Sequence, residues 1–188
     1  MAMVDAARWR AAYEDLLAVP EHQIAQLLDG ELIVQPRPAS PQALARSVLG
    51  GEVMGPFHRG RGGPGGWVIL DEPELHLGPD VLVPDLAGWR RERMPTVPDV
   101  AAFELAPDWV CEVLSPSTVA VDRVRKMPVY AREGVTHVWL VDPLARTLEV
   151  FRREGPGYAR VNAWADEDRV RAEPFDAIEL ELGILWAR

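Results

Sequence analysis

The sequence predicts an α/β (α+β) fold in which helices flank a mixed central β-sheet. A strand, a helix and a second strand follow one another between residues 108 and 141, which is the pattern of a parallel strand pair joined by a right-handed crossover. Short apolar runs separated by turn residues precede and follow this unit, as in antiparallel hairpins. One parallel crossover combined with hairpins is typical of a mixed sheet.

The first third of the chain predicts a helix, a hairpin and a second helix. Apolar residues at helical spacing over residues 5–19 predict an amphipathic N-terminal helix that packs on the main body, and Pro20 ends it. Asp29-Gly30 lies between two apolar runs and predicts a tight hairpin turn, because glycine tolerates positive φ. Ser40-Pro41 then predicts the N-cap and first turn of a helix that runs toward His58.

The middle of the chain reads as a loop followed by short strands. Residues 60–66 contain five glycines and one proline, and they lack the GxGxxG and GxxxxGK[ST] patterns of phosphate-binding loops. Residues 90–107 read as an irregular connection. The predicted strands between these two segments are residues 67–70, 74–77 and 81–89.

The second half contains the crossover unit and a predicted β-meander. Residues 108–114 are a strand, and the Ser-Pro-Ser-Thr turn at 115–118 starts a helix over residues 119–133, which Gly134 ends. Residues 136–141 return as the second strand. The meander comprises residues 147–151, 158–162 and 169–172, and residues 178–185 close it.

Length and composition predict a single domain over residues 1–188, with the helix at 5–19 as an appendage. The chain is 48% hydrophobic and 26% charged, which suffices for one sizeable core. Cys111 is the only cysteine, and the sequence shows no secretory leader pattern, so we expect a cytoplasmic protein. No apolar stretch approaches the roughly 20 residues that cross a bilayer, so we expect no membrane insertion.

Charge excludes one class of function and singles out one residue. The chain carries 29 acidic and 20 basic residues, a formal net charge of −9, which argues against a protein that coats nucleic acid non-specifically. Lys126 is the only lysine, so every other basic residue is arginine. An ammonium is a compact charge whose pKa changes on burial, whereas guanidinium stays charged. Lys126 is therefore a candidate functional residue.

Two carboxylates lie where apolar strand residues are expected. Period-two alternation places Asp85 on the face of Val81 and Val83, and Glu112 on the face of Val110 and Leu114. An unpaired carboxylate in an apolar layer costs several kcal/mol. Each therefore needs a hydrogen-bond network, a cation or a metal ion, unless it is a structural carboxylate or lies at a strand end open to water.

Lys126 is the candidate cation for these carboxylates. It lies on the helix that follows the Glu112 strand, and Asp122 precedes it by four residues, the spacing of a helical ion pair. The alternative interpretation is a surface ion pair, which contributes less than about 1 kcal/mol. The short turn between strand and helix favours a shared position at one end of the sheet.

Two carboxylates and a lysine suit metal-dependent phosphodiester hydrolysis. Carboxylate oxygens would hold Mg²⁺ or Mn²⁺, the ion would activate water and bind the phosphate, and lysine would orient that water or neutralise developing charge. The four histidines show no zinc-ligand spacing, and no GxSxG motif surrounds Ser115 or Ser117. Cys111 alternates away from Glu112 and reads as a core residue.

Five ordered blocks carry a family resemblance. They read VPD (83–85), PDWVCEVLSPST (107–118), DRVRK (122–126), YAREGV (130–135) and VWLVDP (138–143). Together they resemble the Uma-type endonuclease family, which belongs to the restriction-endonuclease-like PD-(D/E)xK superfamily, and residues 27–34 resemble the N-terminal hairpin of that family. The resemblance implies a restriction-endonuclease-like core and a nuclease.

The resemblance also implies roles for individual residues. Asp85 corresponds to the first motif aspartate and Glu112 to the second acid, both metal ligands in the superfamily, and the backbone carbonyl of Val113 would be a further ligand. The superfamily lysine stands two residues after the second acid, where this chain has Leu114. The family resemblance implies that the lysine has moved to the following helix, as Lys126. Lys126→Ala is accordingly expected to abolish cleavage and leave folding intact.

Additional residues have weaker support from the sequence. Asp122 would assist the site, and an acid from the N-terminal elements could add a metal ligand, although such acids are usually solvated; the candidates are Glu31, Glu52 and Glu74. Arginines near the cleft would contact DNA phosphates; the candidates are Arg59, Arg61, Arg90, Arg91 and Arg93. By analogy with the superfamily, cutting both strands of DNA predicts a homodimer.

Two alternative functions remain open from the sequence. The same site could hydrolyse RNA or nucleotides in place of DNA, because the substrate alone distinguishes these activities. A non-catalytic dimeric or nucleic-acid-binding module could also retain the fold. Metal binding separates that module from a nuclease, because only the nuclease needs Asp85 and Glu112 to hold a metal ion.

Overall fold

A computed structural model describes residues 13–187 of the chain. Residues 13–17 are helical, and Leu16 packs against Leu27 and Val81. The remaining part of the helix predicted over 5–19, residues 5–12, lies outside the described residues. Within the described part, no helix is long and apolar enough to cross a membrane.

Two β-sheets form the main body. An antiparallel four-stranded sheet has the order β2-β1-β5-β4. Its strands are β1 (Gln23–Leu28), β2 (Glu31–Pro36), β4 (Leu75–Leu77) and β5 (Asp80–Leu82). A mixed six-stranded sheet has the order β10-β9-β8-β7-β6-β3. Its strands are β3 (Trp67–Asp71), β6 (Leu86–Arg90), β7 (Trp109–Val113), β8 (His137–Asp142), β9 (Thr147–Glu154) and β10 (Gly157–Ala165).

The predicted mixed sheet is confirmed. Strands β7 and β8 are parallel neighbours, as the crossover pattern predicts, and the other neighbours in the large sheet are antiparallel. The β1–β2 hairpin turns at Asp29 and Gly30, which both have positive φ, 53° and 76°. These values match the primed turn that Asp-Gly favours.

Three details of the prediction are wrong. Residues 81–89 form two strands in different sheets, because Pro84 lacks an N–H and interrupts pairing between β5 and β6. The meander ends after β10: β11 (Arg169–Val170) pairs with β12 (Leu180–Glu181) as a separate ribbon, followed by a 3₁₀ turn, Leu182–Leu185. Ala39 is the N-cap of α1 (Ser40–Val53), so Ser40 is its first residue, and no side chain caps it.

The helices cover the large sheet on both faces. Helix α1, extended by a π-helical turn at Met54–His58, packs with the C-terminal ribbon against one face. The crossover helix starts near residue 119, widens into a π-helical turn at Val121–Lys126 and continues as α2 (Met127–Arg132) on the other face. Pro128 lies in the first turn of α2, where its missing N–H is tolerated.

The alternation predicted for β7 is confirmed. Trp109, Cys111 and Val113 belong to the core on the α1 side. Val110 and Leu114 belong to the core on the α2 side. Glu112 therefore points toward the crossover helix, which carries Lys126.

Candidate active site

A cleft of about 380 Å³ opens where the two sheets meet. It is lined by the β5–β6 link, the end of β7, the turn after β7 and the crossover helix. The connection from β2 to α1 completes the lining. The candidate residues Asp85, Glu112, Val113, Asp122 and Lys126 all line this cleft. Residues from distant parts of the chain thus converge on one concave site.

Asp85 lies in the break between β5 and β6, beside the end of β7. Its Oδ2 accepts a hydrogen bond of 2.7 Å from the backbone N–H of Val113, and its Oδ1 lies 3.6 Å from Nη1 of Arg46. The side chain is 20% exposed. The face assigned to Asp85 from strand alternation is wrong, because this residue is outside a strand.

Val113 directs its backbone toward the same carboxylate. The next amide, that of Leu114, donates to Val141 in β8, so successive residues alternate between the two neighbouring strands. The N–H and C=O of one strand residue point to the same side. The Val113 carbonyl therefore faces the side of Asp85.

Glu112 lies at the floor of the cleft, and its side chain is 2% exposed. Its Oε2 accepts a hydrogen bond of 3.1 Å from Nζ of Lys126, and its Oε1 accepts one of 2.6 Å from the Tyr130 hydroxyl. Tyr130 follows Lys126 by four residues, so one helix face supplies both donors.

Lys126 joins Glu112 to Asp122. Its Nζ lies 3.0 Å from Oδ1 of Asp122, and the side chains of both residues are 3% exposed. The pair with Asp122 is therefore buried, and the alternative of a surface ion pair is wrong. Burial also makes the expectation that Lys126→Ala leaves folding intact untenable, because the variant would leave buried carboxylates without their cation.

Three carboxylates act on the Lys126 ammonium in this cluster, and Arg46 lies beside Asp85 as a second cation. Burial raises the pKa of Glu112 to about 8, and it raises the pKa of Asp85 to about 6 against the lowering effects of the Val113 amide and Lys126. Burial lowers the pKa of Lys126, but Asp122, Glu112 and Asp85 outweigh it, so this pKa stands above its usual value. Lys126 stays charged, whereas the raised pKa of Glu112 favours the protonated carboxyl at neutral pH.

The donor set fits a hard divalent cation. Oδ1 of Asp122 is buried and pairs with the Lys126 ammonium at 3.0 Å. No three His, Cys, Asp or Glu side chains in this part of the chain are already arranged as a metal site. Mg²⁺, however, is usually held by one or two carboxylates and keeps several waters. Asp85 and the Val113 carbonyl would supply such oxygens, and Glu112 would supply one in exchange for its hydrogen bond to Lys126 or Tyr130.

The three additional acids lie away from the cleft lining. Oε2 of Glu31 lies 2.8 Å from Nη1 of Arg125. Oε1 of Glu74 accepts from the Tyr13 hydroxyl at 3.0 Å and lies 2.7 Å from Nε2 of His76. Glu52 is exposed on α1. The structure does not bring these acids to the site.

The predicted DNA-contacting arginines lie at the opposite end of the large sheet. Strand β6 starts beside Asp85 and ends at Arg90, so about 15 Å of strand separates the two ends. The Arg91 amide donates to Gly66, and its side chain reaches the His58 carbonyl at 3.5 Å, so the loop with Arg59 and Arg61 is at that end too. Arg93 pairs with Asp108 there. Their predicted position near the cleft is wrong, because β6 runs away from it.

Five residues at or beside the site were not predicted to act there. Tyr130 contacts Glu112, and Arg46 approaches Asp85. The Lys126–Tyr130 spacing of four residues is a signal that could have indicated Tyr130. The others line the cleft, and no sequence pattern distinguishes them; they are Gln35, Arg37 and Gln42.

The fold and the carboxylate cleft define a protein of the restriction-endonuclease-like class. A crystal structure described as "a putative nuclease belonging to DUF820 from Anabaena variabilis ATCC 29413" matches with a TM-score of 0.72 and 21% identity, over 92% of this chain and 96% of that chain. At that identity the likeness shows a shared fold. No curated protein matches the chain.

The chain belongs to the Uma2 family, described as "Putative restriction endonuclease", which matches residues 10–184. This match covers nearly all of the chain, including the cleft. The family resemblance of the sequence is therefore confirmed.

Proposed function

We propose that the protein is a metal-dependent endonuclease that hydrolyses phosphodiester bonds of DNA with Mg²⁺ or Mn²⁺. The observation that carries this proposal is the buried group of Lys126, Glu112 and Asp122, which lines one open cleft together with Asp85. A structural ion pair needs one acid for one base, whereas Lys126 contacts two buried acids. Homodimerisation, by analogy with the superfamily, and a cytoplasmic location, from the single cysteine, belong to the same proposal.

Each residue has a role in this proposal. Asp85, Glu112 and the backbone carbonyl of Val113 would hold the metal ion through oxygen. Lys126 keeps a positive charge beside Glu112, where it neutralises negative charge that develops on the phosphate. Tyr130 fixes the orientation of Glu112, and Asp122 that of Lys126. When bound, the divalent ion supplies Lewis-acid activation of water and phosphate.

DNA nicking is the direct test of the proposal. Supercoiled DNA is incubated with the protein and Mn²⁺, Mg²⁺ or EDTA. We expect nicking that requires metal, is lost in Asp85→Asn and is retained in Asp108→Asn, which changes a carboxylate at the other end of the sheet. Nicking in EDTA, or undiminished nicking by Asp85→Asn, would contradict the assigned site.

A non-catalytic nucleic-acid-binding module is the second candidate. The observation that favours it is that both oxygens of Glu112 already accept hydrogen bonds, from Lys126 and from Tyr130. Glu112 then has a structural role that needs no metal ion. Calorimetric titration with Mn²⁺ separates the candidates. The nuclease binds Mn²⁺ at least tenfold more tightly than its Asp85→Asn variant, whereas the module shows no such difference and no nicking.

A further inference from the structure

The side-chain amide of Gln42, a residue of the cleft lining, has a buried acceptor without a partner among the described residues. Gln42 lies in the first turn of α1, and its side-chain Nε2 donates to the Leu114 carbonyl at 3.4 Å. That bond fixes which end of the amide is nitrogen. Oε1 is left buried and without a hydrogen-bond partner among the residues described, in a residue that is 4% exposed.

The amide of Gln35 presents an unpaired donor. The backbone N–H of Val83 donates to Oε1 of Gln26 at 2.9 Å, so Gln26 Nε2 is free to donate to Oε1 of Gln35, at 3.2 Å. Because the series of hydrogen bonds starts at a backbone N–H, which can only donate, it determines which end of each amide is oxygen and which is nitrogen. Nε2 of Gln35, which is 8% exposed, has no partner in the described part of the chain.

A buried donor or acceptor without a partner costs free energy, because it has lost its hydrogen bonds to water. A ligand that forms a hydrogen bond with it removes this cost. Both amides belong to residues that line the cleft of Asp85. Gln35 Nε2 and Gln42 Oε1 are themselves buried from solvent, so a ligand in the cleft would reach them once the two amides turn toward it. The matching ligand offers an acceptor to Gln35 and a donor to Gln42. The Watson–Crick edge of a nucleobase offers both, and in a strand that is unpaired this edge is free.

The cleft walls and rim suit the rest of a nucleotide. Apolar side chains line much of the cleft, including Pro36, Pro38, Pro116 and Val83, and can pack against the faces of a base. Arg37 lies at the rim with 52% of its side chain exposed. Among the described residues that line the cleft, Arg37 is the exposed cation. Its guanidinium pairs with Glu72 at 3.2 Å and donates to the Glu21 carbonyl at 3.0 Å, so a phosphate would compete with these exposed contacts.

The dimensions favour a single strand over a duplex. About 380 Å³ is the volume of a small-molecule pocket. A duplex needs a broad basic face, and the arginines that could form one lie at the far end of β6. The charged residues of the cleft lining are three acids and two bases, Arg37 and Lys126.

We propose that the cleft binds one unpaired nucleotide of a DNA strand, with its base held by Gln35 and Gln42 and its phosphate by Arg37. This inference rests on the proposed function, because it names the form of the substrate at the same site. The enzyme then prefers single-stranded or locally unpaired DNA over duplex.

Oligonucleotide binding tests this preference without any cleavage. Fluorescence anisotropy is measured at pH 6 in EDTA with a labelled eight-nucleotide DNA strand, the same strand annealed to its complement, a fully abasic strand and the RNA of the same sequence. We expect the single strand to bind about tenfold more tightly than the duplex or the abasic strand. Equal binding of single strand, duplex and abasic strand overturns the inference, and tighter binding of RNA overturns the assignment of DNA.

Matched variants locate the contacts. Gln42→Met and Gln35→Met are each expected to weaken binding of the normal strand up to about tenfold and to leave binding of the abasic strand unchanged. The control Gln23→Met changes a glutamine outside the cleft lining and leaves both unchanged. Arg37→Ala is expected to weaken binding of all the strands to the same extent and to reduce the dependence of binding on salt concentration. Undiminished binding of the normal strand by both cleft variants overturns the assignment of the amides.

The two proposals can fail separately. Metal-dependent nicking without a preference for unpaired bases removes this inference and leaves the nuclease. Base-dependent binding without nicking in Mn²⁺ removes the nuclease and retains the nucleotide site as that of a binding module.

Discussion

Strand β7 has a buried carboxylate near each end, and the two differ in how their charge is balanced. Asp108 precedes the strand and accepts hydrogen bonds from the Arg90 amide and the Arg93 guanidinium, both at 2.8 Å. Glu112 near the other end shares Lys126 with two further acids. The positive charge of Arg93 balances Asp108, whereas the positive charge of Lys126 is shared between Glu112 and Asp122.

The difference distinguishes a structural carboxylate from a functional one. Asp108 closes the connection between β6, β7 and β8, because its backbone carbonyl also accepts from Thr136 and His137. Its hydrogen bonds are complete without a ligand. The cluster of Glu112 is incompletely balanced, and a divalent cation would balance it. Both residues are buried, so burial does not distinguish them. The number of cations that contact each carboxylate, compared with the number of acids that share those cations, does.

The largest effect is expected from removing the shared cation. Lys126→Met leaves Glu112 and Asp122 buried without a counter-charge, so we expect the free energy of unfolding to fall by about 3–5 kcal/mol at pH 8. Urea denaturation followed by circular dichroism measures this change. At pH 5 the loss is smaller, because Glu112 is then protonated. An equal loss at both pH values would show that packing, not charge, causes the effect.

The metal-free protein should become less stable as pH rises from about 5 to about 8. Asp85 and Glu112 have raised pKa values, about 6 and about 8, so the folded state holds protons that the unfolded chain releases near pH 4. Unfolding then releases protons, and higher pH favours it. The slope from one such group is on the order of 1.4 kcal/mol per pH unit.

Glu112→Gln is the control for this pH dependence. It removes the group whose pKa is highest, so the stability profile should flatten between pH 6 and pH 8. Asp108→Asn should leave the slope of the wild-type profile unchanged. Stability that rises with pH across this window in the wild-type protein would contradict the raised pKa values.

A moderate loss of stability is expected at the balanced end of the strand. Asp108→Asn weakens the bonds to Arg90 and Arg93 and leaves no buried charge uncompensated, because Arg93 is partly exposed. We expect a loss of about 1–3 kcal/mol, less than for Lys126→Met, in the same denaturation experiment. Mn²⁺ affinity should be unchanged. Weaker Mn²⁺ binding by this variant would mean that the two ends are coupled.

The smallest effect is expected outside both clusters. Arg125 pairs with Glu31 beside the β1–β2 turn, where 67% of the Glu31 side chain is exposed. Solvent screens such pairs, so Arg125→Ala should cost less than about 1 kcal/mol in thermal denaturation. A loss comparable to that of Lys126→Met would show that the hydrogen bond of Arg125 to the Leu28 carbonyl holds the hairpin in place.

Local patterns predicted most of the fold. Asp29-Gly30 defined its hairpin because few residues adopt two positive φ values in succession. The spacing of residues 108–141 defined the parallel pair, since that length suits a crossover helix. The alternation along β7 placed Glu112 on the face of the crossover helix, and the four-residue spacing paired Asp122 with Lys126.

Features that depend on distant contacts were not predictable in this way. Pro84 is a local signal for the break within residues 81–89, but the sheet that each half joins depends on distant partners such as Leu27 and Cys111. The arginines near residue 90 follow Asp85 closely in sequence, yet the direction of β6 carries them away from the cleft. The number of residues between two positions does not tell in which direction the strand between them runs relative to the cleft.

The sequence by itself determined the secondary structure around the site, its lysine and its candidate acids, because these depend on residue type and short-range spacing. The tertiary structure alone decided that the lysine is buried in contact with two carboxylates, and that two glutamines of the cleft lining have buried atoms without partners among the described residues. Burial and charge balance are sums over neighbours from β5, β6, β7 and two helices. Such sums exist only once the chain has folded.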